Sequence, residues 1–115
     1  MNKTVTRNEL QARLSANPDL VLLEALPAKY YNDWHLPNAR HFPHDQARQL
    51  APTVVPDKSA EIVVYCASKT CQNSHIAASV LRQIGYANVS VYAGGKEDWL
   101  EVGAELEKGS AEVTA

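Results

Sequence analysis

Long apolar runs are missing from this 115-residue chain. No segment approaches the ~20 consecutive apolar residues that a transmembrane helix needs. The opening residues, MNKTVTRNEL, place no apolar stretch between their charges and so do not resemble a secretory signal. We therefore expect a cytoplasmic protein without a membrane partner.

Basic clusters are also missing. Lys and Arg total 11 against 13 Asp and Glu, and the net charge is -2. A nucleic-acid-binding domain usually carries a basic patch or stripe, so nucleic acid is not an expected partner. His35, His41 and His44 lack the i, i+4 helical spacing of a zinc site, so we expect no metal.

Cysteine is scarce, with Cys66 and Cys71 as the two examples. Structural disulfides are rare in a reducing compartment. The short separation of these two residues therefore indicates reactivity rather than a structural crosslink.

Strand and helix patterns alternate along a chain that has the length of one domain. Helix patterns begin after Thr6 in a capping box and at Ser74, while a continuous apolar run before Glu24 predicts a buried strand. This alternation predicts an α/β fold with a mostly parallel sheet and helices on both faces. Helices are predicted at 7–17, 28–34, 44–51, 74–84 and 96–102, strands at 20–23, 61–65, 89–92 and within 35–43, and a loop at 52–59.

A polar loop joins the strand at 61–65 to the helix that begins at Ser74, and Cys66 is its first residue. Ligands of parallel sheets bind at the carboxyl ends of the strands, and unpaired amides at a helix N-terminus attract anions. We expect Cys66 to face solvent there, with a lowered pKa, as a nucleophile. The predicted anion-binding residues of the loop are Ala67, Ser68, Lys69, Thr70, Gln72, Asn73 and Ser74.

The order of several motifs resembles the rhodanese family. Residues 35–39, His-Leu-Pro-Asn-Ala, are similar to the family's His-x-Pro-Gly-Ala segment. Residues 85–89 and 94–99 are similar to its Gly-Tyr-x-Asn-Val and Gly-Gly-x-x-x-Trp patterns. The resemblance covers nearly the whole chain.

This resemblance implies a three-layer fold with a central sheet of about five strands. It implies one domain over residues 1–108 and a flexible tail over 109–115. Cys66 would be catalytic, accepting sulfane sulfur as a persulfide from a small-molecule or protein donor and passing it to a thiol acceptor. No metal or organic cofactor is expected, and the protein would be a monomer or weak homodimer.

The chain departs from the family pattern in three places. The helix-starting Ser74 lies about two residues further from the cysteine than usual, and Asn73 precedes it where Arg is common. Glu24-Ala25-Leu26 replaces an Asp-x-Arg strand end, which argues against thiosulfate as the donor. Cys71 is an added thiol and resembles a subgroup with Cys-x4-Cys loops.

Three other functions compete with sulfur transfer. Cys66 and Cys71 could form a thiol-disulfide redox couple in which Cys71 is the resolving thiol. A non-catalytic interaction module is the second alternative. A phosphatase or arsenate reductase is disfavoured because Gln72 stands where such loops place the Arg that binds the oxyanion.

Overall fold

A five-stranded parallel sheet forms the centre of the fold, seen in a computed structural model that describes residues 3–108. The strands are β1 Lys3–Val5, β2 Val21–Glu24, β3 Arg40–His41, β4 Ile62–Tyr65 and β5 Val89–Tyr92. They lie in the spatial order β1-β5-β4-β2-β3, so β4 is central. Neighbouring strands are parallel throughout, which places all their carboxyl ends at one edge.

Helices cover both faces of this sheet, and the predicted three-layer α/β architecture is confirmed. Side chains alternate along β4, so Val63 and Tyr65 pack on one face with Leu10 and Trp99. Val64 packs on the other face, in a second core cluster. The helices are α1 Arg7–Ala16, α2 Ala28–Asp33, α3 Ala47–Val54, α4 Asn73–Gln83 and α5 Gly95–Glu101, with a 3-10 turn at His44–Gln46.

The capping box before α1 is confirmed. The amide of Glu9 donates to the Thr6 hydroxyl at 3.1 Å, and the Glu9 carboxylate accepts from the Thr6 amide at 2.8 Å. These reciprocal bonds satisfy two amides that a helix start otherwise leaves unpaired.

Two element predictions are wrong in detail. Residues 52–54 were predicted as loop, but α3 continues through Pro52 to Val54. The Tyr86 hydroxyl donates to the Val55 carbonyl at 2.5 Å and lies 3.2 Å from the Ala51 carbonyl, at the end of that helix. Strand β1 was not located at all, because only Val5 of its three residues is buried and its partner β5 is remote in sequence.

The start of α4 also differs from the prediction. Ser74 was expected to cap this helix, but the cap residue is Gln72 and Ser74 is the second helical residue. The side chain of Ser74 therefore lies inside the first turn and is buried. The predicted tail at 109–115 lies outside the described residues.

Candidate active site

Cys66 directly follows β4 at the carboxyl edge of the sheet, as the sequence predicted. The loop after it leads into α4, whose first turn includes Ser74. The start of α5 lies against the other side of this segment, because the amides of Lys96 and Glu97 donate to the carbonyls of Cys66 and Ala67. The strand end thus lies between the N-terminal turns of two helices.

The Cys66 sulfur has polar contacts with two of the predicted loop residues. Its thiol donates to the Cys71 carbonyl oxygen at 3.4 Å, and the Ser74 hydroxyl lies 3.4 Å from the sulfur. The Ser74 amide is also a hydrogen-bond partner of the sulfur. One backbone amide of the α4 N-terminus therefore points at Cys66, in the direction that would favour negative charge on it.

Burial of the thiol overturns one expectation. Cys66 was expected to face solvent with a lowered pKa, but the residue is 1% exposed and burial raises its pKa. The interaction with Cys71 raises the pKa further, while hydrogen bonds from Ser74 lower it without outweighing burial. The physical reason is that the loop folds over the sulfur and removes it from water, which disfavours the charged thiolate.

The rest of the loop forms a small closed turn. The Cys71 amide donates to the Ser68 carbonyl at 3.1 Å, and the hydroxyls of Ser68 and Thr70 lie 3.1 Å apart. Cys71, Ser68 and Asn73 are half-buried. The side chains exposed to solvent belong to Ala67, Lys69, Thr70 and Gln72.

A buried ionic network beside the site was not predicted. The Lys96 ammonium lies 3.1 Å from the Glu24 carboxylate, and both residues are buried, at 7% and 0% exposure. The Tyr65 hydroxyl donates to the other Glu24 oxygen at 2.7 Å. The sequence placed Glu24 at a buried strand end, which was the available signal, but nothing in the helix pattern of α5 marked Lys96.

Burial and hydrogen bonds shift the pKa values of two groups in this network. Burial raises the pKa of Glu24, and hydrogen bonds from Tyr65 and Lys96 oppose that shift. Burial and the nearby Glu24 carboxylate raise the pKa of Tyr65 well above its ordinary value. Tyr65 is therefore a neutral donor to Glu24 at any physiological pH.

Residues 3–108 contain neither a candidate metal site nor a helix that could span a membrane. No group of His, Cys, Asp or Glu side chains in that range has an arrangement that could hold a metal ion. None of the helices there is both long enough and apolar enough to cross a bilayer.

A family model and a relative of known activity both match most of this chain. The family model for the rhodanese-like domain matches residues 6–102. A thiosulfate:glutathione sulfurtransferase of Saccharomyces cerevisiae is 29% identical, and the match covers 77% of this chain and 70% of the yeast protein.

Solved structures agree with the sequence match. The rhodanese-like domain of an Anabaena protein is 29% identical with a TM-score of 0.80, covering 100% of this chain and 85% of that domain. A human single-domain sulfurtransferase shares the fold at 21% identity, with a TM-score of 0.76 and coverage of 88% of this chain and 97% of the human one.

Proposed function

This chain belongs to the rhodanese-like domain family, and from that membership we propose that it is a sulfurtransferase or persulfide carrier with Cys66 as its nucleophile. Cys66 takes a sulfane sulfur from a small-molecule or protein donor and passes it to a thiol. The observation that carries the proposal is the position of the Cys66 sulfur, at the end of the central strand and hydrogen-bonded by the first turn of α4.

The chemistry requires two displacements at sulfur. The Cys66 thiolate first attacks the outer sulfur of a donor R–S–S⁻, the donor S–S bond breaks, and R–S⁻ leaves with the electron pair. An acceptor thiolate then attacks the outer sulfur of the Cys66 persulfide, and the Cys66 thiolate leaves. No external oxidant or reductant is consumed.

Ser74 assists the charged states of this cycle. Its hydroxyl and its backbone amide both hydrogen-bond the Cys66 sulfur. Such bonds are stronger to an anion than to a neutral thiol, so they favour the thiolate and the leaving sulfur of the second step.

The Cys71 carbonyl opposes the same states. It accepts the thiol hydrogen at 3.4 Å, and a carbonyl oxygen repels a thiolate. Sulfur uptake therefore requires the loop around Cys71 to turn this carbonyl away and admit the donor.

We also propose that residues 1–108 form one domain that acts in the cytoplasm, as a monomer or weak homodimer. The acceptor is a low-molecular-weight thiol. The yeast relative supports this choice, because its name includes glutathione, which is such a thiol. The anion-binding loop that receives the donor consists of Ala67, Ser68, Lys69, Thr70, Gln72, Asn73 and Ser74.

A sulfur-transfer assay with matched variants tests the proposal. The full chain is incubated with thiosulfate or polysulfide as donor and glutathione as acceptor, and the sulfide or persulfide product is measured. Glutathione persulfide is tested as donor with a different acceptor thiol, because its transfer to glutathione regenerates the starting species. We expect Cys66→Ser to lose more than about 100-fold of the transfer rate, because the nucleophile is removed. Equal activity of Cys66→Ser and wild type with every productive donor would contradict the assignment.

A second candidate function is a redox couple of Cys66 and Cys71. The interaction between their side chains favours it. In that reaction the Cys71 thiolate attacks the inner sulfur of the Cys66 persulfide, hydrosulfide leaves with the electron pair, and a Cys66–Cys71 disulfide forms. Two external thiol equivalents then reduce the disulfide.

Peptide mapping after acid quenching distinguishes the two functions. The redox couple predicts a disulfide-linked peptide in wild type and loss of sulfide release in Cys71→Ser. Full transfer to glutathione by Cys71→Ser, with no internal disulfide in wild type, would reject the couple and leave simple sulfur transfer.

A further inference from the structure

The start of α5 binds the first peptide of the Cys66 loop through its backbone. The Lys96 amide donates to the Cys66 carbonyl at 2.9 Å, and the Glu97 amide donates to the Ala67 carbonyl at 2.8 Å. Gly95 fits against the same peptide, because a Cβ atom there would collide with the Cys66 carbonyl oxygen. The position of α5 therefore sets the position of the Cys66 backbone.

The Lys96 side chain anchors this helix start in the core. Its ammonium lies 3.1 Å from Glu24, donates to the Tyr30 carbonyl at 2.8 Å, and lies 4.8 Å from the centre of the Trp34 ring. Glu24 belongs to β2 and Tyr30 to α2, and Trp34 directly follows α2. One lysine thus connects three elements through directional contacts.

Glu24 has an equally constrained place. One carboxylate oxygen accepts from Lys96 and the other accepts from Tyr65 at 2.7 Å. The Tyr65 hydroxyl in turn accepts from the Leu36 amide at 3.1 Å. Tyr65 directly precedes Cys66, so the network reaches the cysteine along the strand as well as through α5.

Stability alone does not account for a charge pair at this depth. Removing two charges from water costs about as much as their attraction returns, and apolar replacements of buried pairs are often neutral or stabilising. An ion pair with several directional bonds does differ from an apolar contact in that it fixes one geometry. Apolar side chains tolerate small shifts in packing, whereas these directional bonds do not.

We propose that Lys96 and Glu24 are positioning residues for Cys66. Their ion pair fixes the start of α5, whose amides hold the Cys66 and Ala67 carbonyls and so keep the Cys66 sulfur against Ser74. This inference rests on Cys66 as the reactive thiol, as proposed above. Neither residue touches the reacting sulfur.

Two variants and one matched control test the proposal in the full chain. Lys96→Met keeps most of the length of the side chain and removes the ammonium. The double variant Glu24→Gln, Lys96→Met removes both charges, so no carboxylate is left buried and unpaired if the single variant fails to fold. Tyr86→Phe is the control, because it also removes a buried hydrogen-bonding group, near the end of α4 that is remote from Cys66.

The measurements are kcat and donor KM for sulfur transfer, the alkylation rate of Cys66, and hydrogen exchange of the Lys96 and Glu97 amides. A misplaced nucleophile lowers the rate of the chemical step, so we expect kcat to fall at least about tenfold in the charge variants. The alkylation rate of Cys66 rises, because the loop that buries the thiol is held less firmly. Donor KM stays within about twofold because no donor contact is lost. The two amides exchange faster than in wild type, while Tyr86→Phe keeps wild-type kcat per folded molecule.

A purely structural role predicts something different. The charge variants would then lose stability, but their folded molecules would keep wild-type kcat, Cys66 alkylation and exchange of the two amides. That result in either folded variant overturns the proposal. Alkylation and amide exchange do not depend on sulfur transfer, so an inactive wild type would reject the function while these readouts still decide the positioning role.

Discussion

The Cys66 thiol is held by opposing contacts from Cys71 and Ser74. The Cys71 carbonyl favours the neutral thiol, and the Ser74 hydroxyl and amide favour the anion. Burial also favours the neutral thiol, so Cys66 is protonated and unreactive while the loop is closed. Reactivity at this residue then depends on how readily the loop opens.

The pH dependence of Cys66 alkylation follows from the raised pKa. Only the thiolate reacts, and a raised pKa moves its formation to higher pH than for a free cysteine, whose pKa is about 8.5. We expect the iodoacetamide rate of Cys66 in the native protein to have its inflection above that of the urea-unfolded chain, measured by peptide mass. An inflection below pH 7 would contradict the closed, carbonyl-bonded thiol.

Removal of the Ser74 hydroxyl tests the contacts that favour the Cys66 thiolate. Ser74→Ala deletes one of the bonds that lower the Cys66 pKa, so the alkylation inflection moves to still higher pH and sulfur transfer slows. A lost hydrogen bond costs about 1 kcal/mol of unfolding free energy. Ser90→Ala is the control, because Ser90 is equally buried but lies in the middle of β5, paired with Val63.

An unchanged inflection in Ser74→Ala would mean that the hydroxyl does not act on the sulfur. A shift of the same size in Ser90→Ala would mean that any loss of a buried hydroxyl loosens the loop. Either result would remove the Ser74 hydroxyl from the proposed cycle.

At the scale of elements, the turn into α5 fixes the position of the peptide that begins the Cys66 loop. Gly95 begins this helix with a φ of 63°, a conformation that side chains disfavour, and it packs directly on the Cys66 carbonyl. No other residue type satisfies both requirements. The same glycine therefore shapes the helix start and the active-site peptide.

Gly95→Ala is expected to damage the site more than its backbone strain alone would. The strain of a positive φ costs about 1–3 kcal/mol, and the new Cβ must also displace the Cys66 peptide. Gly103→Ala is a matched control, since Gly103 has a φ of 67° with nothing within 4 Å of an added Cβ. We expect both variants to lose unfolding free energy in urea titrations and only Gly95→Ala to show faster Cys66 alkylation and slower sulfur transfer per folded molecule. Equal effects of the two substitutions would argue against the contact.

At the scale of the whole molecule, buried thiol and phenol groups make the free energy of unfolding depend on pH. Burial raises the pKa of the Cys66 thiol and of the phenols of Tyr65 and Tyr92. Because each folded pKa exceeds its unfolded value, the contribution to stability is complete below the unfolded pKa and is lost as pH rises toward the folded one.

Unfolding free energy should therefore fall as the solution becomes alkaline. The decline begins near pH 8.5 from Cys66 and steepens near pH 10 from the tyrosines, the ordinary pKa values of these groups. Urea titrations from pH 7 to 11 measure it, and Tyr92→Phe should show a shallower decline than wild type. A stability that stays level or rises over this interval would contradict the burial of these groups.

The sequence predicted the parts of the molecule that depend on local pattern. The buried runs of β2, β4 and β5 and the capping box at Thr6 were located correctly, because each carries its signal within a few residues. The position of Cys66 at the end of β4 followed from the same patterns. The family resemblance then gave the five-stranded sheet.

Features set by distant contacts were not predictable in this way. Strand β1 exists through its pairing with β5, and Lys96 enters the core because Glu24 and the Tyr30 carbonyl lie there to receive it. The burial of Cys66 depends on one carbonyl of a polar loop whose conformation no periodicity encodes. These are the contacts that determine how the site works.

The central claim is that sulfur is carried on Cys66, and the mass of one peptide tests it most directly. The full chain is incubated with each sulfane-sulfur donor, alkylated, digested and compared with Cys66→Ser and Cys71→Ser. The account predicts a gain of one sulfur atom on the Cys66 position in wild type and Cys71→Ser, removed again by excess glutathione. No gain with any donor, or a gain found only on Cys71, would contradict it.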